Sequence, residues 1–260
     1  MPIEAEPGPQ SFEGILAADD PPPVLVGGQA VNLWALWAFA SAKDGFAGGP
    51  LAELATFKPF TSKDCDVRGD SELIRRLEAK SGWRGKVFER GPTCAIGYLQ
   101  SPHDDGLIVE VLDSVRGLGR NLAGQDITIT WEQSSYRVLN PLALLQAKLA
   151  NAVEIPQNGR QDVKHVRMLI LIVRIYVAAT LAAVETGEEA FGTLKGMLRR
   201  LEEIATGGHA RKTAGAHAID FGACYPWEAF EASSLESVRL FVKHQKGRLD
   251  KLLGRARMEG

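Results

Sequence analysis

The chain has 260 residues, 45% of them hydrophobic, which is enough to bury the core of one large domain or two modest ones. Its formal net charge of −2 argues against a protein that coats nucleic acid over its whole surface. The three cysteines are widely spaced and include no Cys-x-x-Cys pair, so they suggest neither a disulfide framework nor a zinc site. The acidic, proline-rich start has no signal-peptide pattern, and we therefore expect a cytoplasmic protein.

Hydrophobic periodicity divides the chain into two regions. As far as residue 140, helical and strand patterns alternate, which predicts an α+β domain over residues 14–140. From Pro141 onward strand patterns largely vanish, and we expect a helical C-terminal domain over residues 141–260. The predicted strands are 65–67, 86–89, 94–99, 107–112, 127–131 and 136–139, and the predicted helices are 28–40, 51–56, 71–80, 141–152, 161–185, 188–205 and 227–253, with a loop over 207–222.

A double glycine marks the start of the first long predicted helix. Pro21-Pro22-Pro23 interrupts the chain, Val24-Leu25-Val26 is a short apolar run, and Gly27-Gly28 leads into a segment with a dense apolar face. Glycines at a helix N-terminus let exposed backbone N–H groups approach an anion closely, and the helix dipole favours negative charge there. The motif predicts a phosphate site, with an ordinary turn as the alternative.

Two carboxylates stand one residue apart in the segment Asp64-Cys65-Asp66. If residues 65–67 are extended, alternation places the side chains of Asp64 and Asp66 on the same face of a strand. Two like charges at that separation are unfavourable unless a cation lies between them. The pair therefore predicts a divalent-metal site, and a solvated loop or strand edge is the alternative.

Together the two motifs resemble the nucleotidyltransferase superfamily that shares the DNA polymerase beta catalytic fold. The resemblance rests on Val-Gly-Gly-Gln-Ala-Val-Asn at 26–32 and on Phe-Thr-Ser-Lys-Asp-Cys-Asp-Val at 60–67. It implies a nucleotidyltransferase fold, in which a mixed β-sheet is flanked by helices. One departure is Phe60, which stands where the family often has Arg.

The resemblance also implies roles for individual residues. Gly27 and Gly28, together with Ser62, would hold the triphosphate of a nucleotide. Asp64 and Asp66 would bind two magnesium ions. Ser62 matches the Ser or Thr that usually precedes the first acid of the family.

A third acid on a later strand is implied as well. Residues 107–112 form the one downstream apolar run that carries a carboxylate, so Glu110 is the predicted third metal ligand, and Asp113 at the far end of the run is the reserve. The family usually has Asp at this position, and Glu110 is therefore a departure. A glutamate on an edge strand that faces water is the alternative.

Residues 138–151 resemble the AbiEii-like, toxin-type group of these enzymes, in which a helical lysine approaches the nucleotide phosphates. The resemblance gives that role to Lys148, and an ordinary surface lysine is the alternative. Asp162 matches the next motif of the group, but Gln161 and His165 replace the expected Lys and second Asp. Asp162 could instead be a first-turn carboxylate that interacts with the helix dipole.

The resemblance implies that the protein transfers a nucleoside monophosphate from ATP or another nucleoside triphosphate to an acceptor hydroxyl, with two Mg²⁺ ions. Lys63, beside the acids, would join Lys148 in neutralising negative charge. The acceptor could be RNA, a protein or a small molecule, the last as in antibiotic-modifying relatives, and the toxin-type group implies an antitoxin partner. The alternative is a nucleotide-binding or partner-binding protein without turnover.

Two further patterns bear on partners. Residues 237–260 carry seven basic side chains against two acidic ones, so a terminal helix could contact the phosphates of an RNA acceptor, with a solvated helix face as the alternative. The apolar stretch 168–184 contains Arg174 and is shorter than the ~20 residues that span a bilayer. We therefore expect a buried helix there and no membrane association.

Overall fold

The structure is a computed structural model that describes residues 6–41, 49–89 and 93–253. Within these residues the chain forms one seven-stranded β-sheet and ten α-helices. The strands are β1 (Val24–Val26), β2 (Cys65–Arg68), β3 (Arg84–Val87), β4 (Ala95–Gln100), β5 (Ile108–Leu112), β6 (Asp126–Trp131) and β7 (Ser134–Leu139).

The sheet is mixed, and its strands follow the order β3-β4-β5-β2-β1-β7-β6. β2 pairs in parallel with β5, and β1 pairs in parallel with β7, whereas the other neighbouring strands are antiparallel. The predicted α+β class and mixed sheet are confirmed. The three central strands β5, β2 and β1 are those that carry the acids or end at the double glycine.

The helices lie before, between and after the strands. They are α1 (Glu13–Leu16), α2 (Gly27–Ser41), α3 (Gly49–Ala55), α4 (Ser71–Ser81), α5 (Pro141–Glu154), α6 (Asp162–Thr186), α7 (Phe191–Ala205), α8 (Gly208–His217), α9 (Trp227–Ala232) and α10 (Glu236–Leu252). Two of these helices have a side-chain cap at their start. The Asp70 carboxylate accepts from the N–H of Leu73 at the start of α4, and the Asn140 side chain accepts from the N–H of Ala143 at the start of α5, both at 2.9 Å.

The prediction of a loop over residues 207–222 is wrong. This segment contains α8 and a short 3-10 turn, Phe221–Cys224. Ala210, Ala214 and Ala216 supply high helix propensity that outweighs the glycines, and Ala210 is fully buried. The small residues that suggested a flexible loop therefore favour a helix.

The prediction of one helix over residues 227–253 is also wrong, because the chain breaks between α9 and α10. The carboxylate of Glu185 accepts hydrogen bonds from the Ser233 hydroxyl at 2.5 Å and from the Ser234 N–H at 2.9 Å. Ser233 itself is not helical, with φ −58° and ψ 138°. Glu185 of α6 thus provides a hydrogen-bond acceptor for the Ser234 N–H, which has no helical partner at the break.

The longest helix, α6, has 25 residues and is long and apolar enough to cross a membrane by length and composition. The apolar stretch 168–184 lies within this helix, which extends beyond it at both ends, close to the predicted helix 161–185. The core helix of a soluble protein can have the same length and apolar composition. In its apolar 18-residue window 56% is buried inside the fold, and α6 packs against α2, α3 and α5. This burial supports its assignment as a core helix.

One hydrophobic cluster extends through the sheet and the helices on both sides of residue 140. Trp34 on α2 is fully buried, and its indole N–H donates to the carbonyl of Leu139 at 2.8 Å. The same cluster includes Leu145 on α5 and Ile172 on α6. Because the core is continuous across this point, the division into domains 14–140 and 141–260 stays a prediction.

Candidate active site

The junction between β1 and α2 lies directly against the second predicted metal ligand. Gly27 has a φ of +68°, and a Cβ placed on it would overlap the carboxylate of Asp66. A Cβ on Gly28 would lie 2.5 Å from the Ser62 Oγ. Both glycines are therefore required by close approach, and the first turn of α2 is brought to the side chains of Ser62 and Asp66.

Gln29 holds the loop that carries Ser62 in this position. Its side-chain amide is fully buried and donates to the carbonyl oxygens of Ser62, at 2.7 Å, and of Pro7, at 2.9 Å. The N–H of Ser62 also donates to Pro7 at 3.1 Å. The glutamine of the Gly-Gly-Gln sequence thus links the start of α2 to the segment that precedes the acids.

The parallel pairing of β2 with β5 aligns two of the predicted acids. Asp66 is the register partner of Glu110, so both side chains lie on the same face of the sheet. The residues that precede them on the two strands, Cys65 and Val109, are fully buried on the opposite face. Asp64 immediately precedes β2, and alternation places it on the face of Asp66, as the sequence predicts.

The three carboxylates influence one another electrostatically. Burial raises the pKa of the Asp66 carboxyl to about 7; the charge of Lys148 opposes this shift, and the charges of Glu110 and Asp64 add to it. Burial and the charge of Asp64 also raise the pKa of Glu110. The three acids therefore repel one another in a partly buried site, where a cation would relieve the repulsion.

Asp113, the reserve for the third acid, is engaged elsewhere. Its carboxylate accepts from the Ser114 hydroxyl at 2.8 Å and from the guanidinium of Arg120 at 2.9 Å. These contacts lower its pKa. Glu110 is the acid that lies beside Asp66, and its position supports the first choice.

Magnesium fits the chemistry of these ligands. Carboxylate oxygens are hard donors of the kind that Mg²⁺ prefers, and the pKa of Asp66 is raised by burial and by the neighbouring acids Glu110 and Asp64 despite the charge of Lys148. Within the described parts of the chain, no group of three or more His, Cys, Asp or Glu side chains is gathered closely enough to be identified as a metal centre. The three acids thus lie on the same face of the sheet and influence one another electrostatically, but their carboxylates do not converge on one point.

Lys148 belongs to a buried ion-pair network and is not an ordinary surface lysine. Its ammonium lies 2.8 Å from one oxygen of Asp162, and the Arg160 guanidinium lies 2.7 Å from the other. Burial opposes ionisation of Asp162, but the charge of Lys148 and hydrogen bonds from Lys148 and Arg160 lower its pKa to about 2. Lys148 therefore acts on Asp66 as a fixed positive charge whose nearest partner is Asp162.

Lys63 and Phe60 do not lie among the three acids. Lys63 is exposed on the loop before β2, and no ion pair of Lys63 is found among the described residues. Phe60 is buried and its ring packs 5.8 Å from that of Phe39, measured between centroids. Phe60 therefore has a packing role at the position where the family often has Arg.

His165 is a buried residue of the site that sequence reasoning treated only as a mismatch. It is 3% exposed, and neither ring nitrogen has a hydrogen-bond partner among the described atoms. Its Cε1 lies 3.1 Å from the position that a Cβ on Gly28 would occupy. Burial, with the charge of Lys148 adding to it, lowers the pKa of the imidazole to about 3, so the ring is neutral.

The basic segment that could contact RNA forms α10, but part of its charge is neutralised within the fold. Arg248 makes two hydrogen bonds to the carboxylate of Glu202, and Lys246 pairs with Glu231 at 2.6 Å. The basic residues 255 and 257 lie outside the described residues. The segment therefore presents a mixed surface in the described part of α10.

No protein-family model, curated protein or solved structure matches this chain.

Proposed function

We propose that this protein has a nucleotidyltransferase fold and is a metal-dependent nucleotidyltransferase. It moves a nucleoside monophosphate from a nucleoside triphosphate to an acceptor hydroxyl. The observation that carries the proposal is the register of β2 and β5, which pairs Asp66 with Glu110 beside the glycine start of α2. A helix N-terminus can bind an anion and neighbouring carboxylates can bind a metal ion, and nucleotide transfer uses both.

Asp64, Asp66 and Glu110 would hold the magnesium ions. When bound, these ions would stabilise the entering and leaving oxygens of the displacement at the α-phosphate. The protein supplies a partly buried, negatively charged recess in which Asp66 is neutral below pH about 7 unless a cation is present. Metal and nucleotide are therefore expected to bind together.

The phosphate chain of the nucleotide would lie at the start of α2. The absence of side chains on Gly27 and Gly28 lets Asp66 and Ser62 lie against the first turn of α2, whose N–H groups have no partner within the helix. Ser62 supplies a hydroxyl at the same place, and Lys148 supplies positive charge from its buried pair. Exposed Lys63 is free to approach the outer phosphates.

Transfer should depend on the acids of the cluster. Asp64→Ala and Asp66→Ala should each lower the transfer rate by more than ~100-fold, because each removes a group that holds the charge-stabilising ion. The measurement is transfer of a labelled nucleoside monophosphate from each of the four nucleoside triphosphates to RNA, protein or aminoglycoside acceptors. This experiment also separates the acceptor classes.

The matched control is Asp113→Asn, which changes a carboxylate of the neighbouring loop that is already bound by Arg120. It should keep the wild-type transfer rate, and thermal melting should show that all variants are folded. Full activity of Asp64→Ala or Asp66→Ala would contradict the proposal. Magnesium-dependent nucleotide binding by calorimetry, with no product on any acceptor, would instead favour a binding protein without turnover.

A toxin-type enzyme regulated by an antitoxin is the biological role that the AbiEii-like resemblance suggests. It is proposed for the cytoplasm, where nucleoside triphosphates and RNA are both present. Expression of the wild-type chain should then arrest growth of a bacterial host, and Asp66→Ala should relieve the arrest. Equal growth with both chains would contradict the toxin role while leaving nucleotide transfer to be judged by the acceptor assay.

A further inference from the structure

The imidazole of His165 is a buried polar group without a partner. It is 3% exposed, and both ring nitrogens are shielded from solvent without a hydrogen bond to any described atom. Leaving such groups unpaired lowers stability, and an unpaired group in a folded protein calls for an explanation. A ligand that supplies the missing hydrogen bond is one explanation, and the surroundings of the ring identify the chemistry of that ligand.

The ring faces the beginning of α2. Its Cε1, the carbon between the two nitrogens, is the His165 atom closest to the Cβ position of Gly28, at 3.1 Å. The Ser62 Oγ lies 2.5 Å from the same position. The start of the 15-residue helix α2, the Ser62 hydroxyl and the unpartnered imidazole therefore lie against one another, and a helix start and a hydroxyl can both bind an anion.

Charge around the ring favours an anionic ligand as well. Lys148 and Arg160 are both close enough to influence His165 electrostatically; among the described residues both pair with the carboxylate of Asp162, whose charge acts on His165 in the opposite sense. A neutral imidazole offers one N–H donor, which a phosphate oxygen can accept. The first-turn N–H groups repel a cation, and a neutral hydroxyl gains less from the helix dipole than an anion does.

We propose that His165 binds a phosphate group of the nucleotide, together with the first-turn N–H groups of α2 and the hydroxyl of Ser62. The inference rests on the proposed function, since it concerns the phosphate subsite of that same site. It assigns to α6, outside the predicted catalytic domain, a side chain that contacts the substrate. It also explains why an imidazole without a partner is kept at this position.

A phosphate-binding role for His165 differs from a packing role in its effects on stability and on affinity, which should have opposite signs. In His165→Leu, a buried unpaired polar group is replaced by an apolar one, so the melting temperature of the free protein should stay the same or rise. The affinity for inorganic tripolyphosphate with magnesium should fall about 10-fold, the loss expected for a hydrogen bond worth ~1.4 kcal/mol. His165→Gln, which keeps a donor, should recover part of that affinity.

Isothermal titration calorimetry with tripolyphosphate measures these affinities, and Gly28→Ala serves as the control that blocks the subsite itself. If His165→Leu binds within twofold of wild type while Gly28→Ala does not bind, the phosphate subsite stands and the role of His165 is overturned. If the wild-type protein does not bind tripolyphosphate, the phosphate subsite and the role of His165 are overturned, whereas nucleotide transfer is judged by the acceptor assay.

A measurement on the wild-type protein covers the case in which a variant fails to fold. Long-range ¹H–¹⁵N spectra of the imidazole rings resolve the chain's 5 histidines. Tripolyphosphate should shift the ring nitrogens of His165 and leave those of His103, His209, His217 and His244 nearly unchanged. An unchanged His165 signal at saturating tripolyphosphate would overturn the assignment.

Discussion

Replacing Gly27 by alanine tests the close contact on which the site is built. The substitution introduces two penalties. A left-handed φ of +68° costs a non-glycine residue about 1–2 kcal/mol, and the new Cβ would overlap the Asp66 carboxylate, which adds about 1–3 kcal/mol by overpacking. The lower entropy of the unfolded alanine chain offsets about 0.4–1 kcal/mol. The net destabilisation should be about 1–5 kcal/mol.

Gly82→Ala isolates the contribution of the contact. Gly82 has a φ of +72°, nearly the same as Gly27, but nothing lies within 4 Å of a Cβ placed there. It therefore has the strain and the entropy change without the overlap, and Gly27→Ala should be less stable than Gly82→Ala by about 1–3 kcal/mol. Urea unfolding of both variants in the presence of a chelator gives the two free energies. Equal destabilisation would refute the close packing of Gly27 on Asp66.

Two further predictions concern charge. The pKa of Asp66 is about 7 in the folded protein and 3.8 in the unfolded chain. The protonated carboxyl therefore contributes stability that is fully present below pH 4 and is lost as the pH rises through 7. The stability of wild type relative to Asp66→Asn should therefore fall over this window, and magnesium should stabilise the wild type more at pH 8 than at pH 5; a pH-independent difference by urea unfolding would contradict this. Asp162→Ala leaves the Lys148 ammonium buried without its partner, and should cost about 3–5 kcal/mol of unfolding free energy. Adding Lys148→Met should recover most of that loss, and a double variant as unstable as the single one would count against the buried pair.

The features that the sequence predicts well are those set by local pattern. Alternation along β2 fixes the shared face of Asp64 and Asp66 once residues 65–67 are extended, and the structure has that strand. The choice of Glu110 follows from a charge within an apolar run, and its pairing with Asp66 supports that choice. The glycine motif predicts the start of α2, but only the fold reveals that Gly27 must be glycine because Asp66 lies against it.

The features that the sequence misses depend on contacts between distant segments. The break between α9 and α10 is stabilised by Glu185 of α6, so no local signal marks it strongly. Lys148 looks like a lysine available to a nucleotide, whereas in the fold it pairs with Asp162. His165 looks like a mismatch to a motif, and its position next to Gly28 depends on the packing of α6 against α2.

The pairing of β2 with β5 makes the acid cluster tolerant of some changes in chain length and intolerant of others. Asp66 and Glu110 are neighbours through backbone hydrogen bonds, and the chain between them forms α4, β3 and β4. Residues could be inserted in the connections of that segment without moving either acid, because the strand register fixes both. A single residue inserted within β2 or β5 would turn one carboxylate to the opposite face. Comparison of natural length variants should therefore find these two strands constant in length while the connections between them vary.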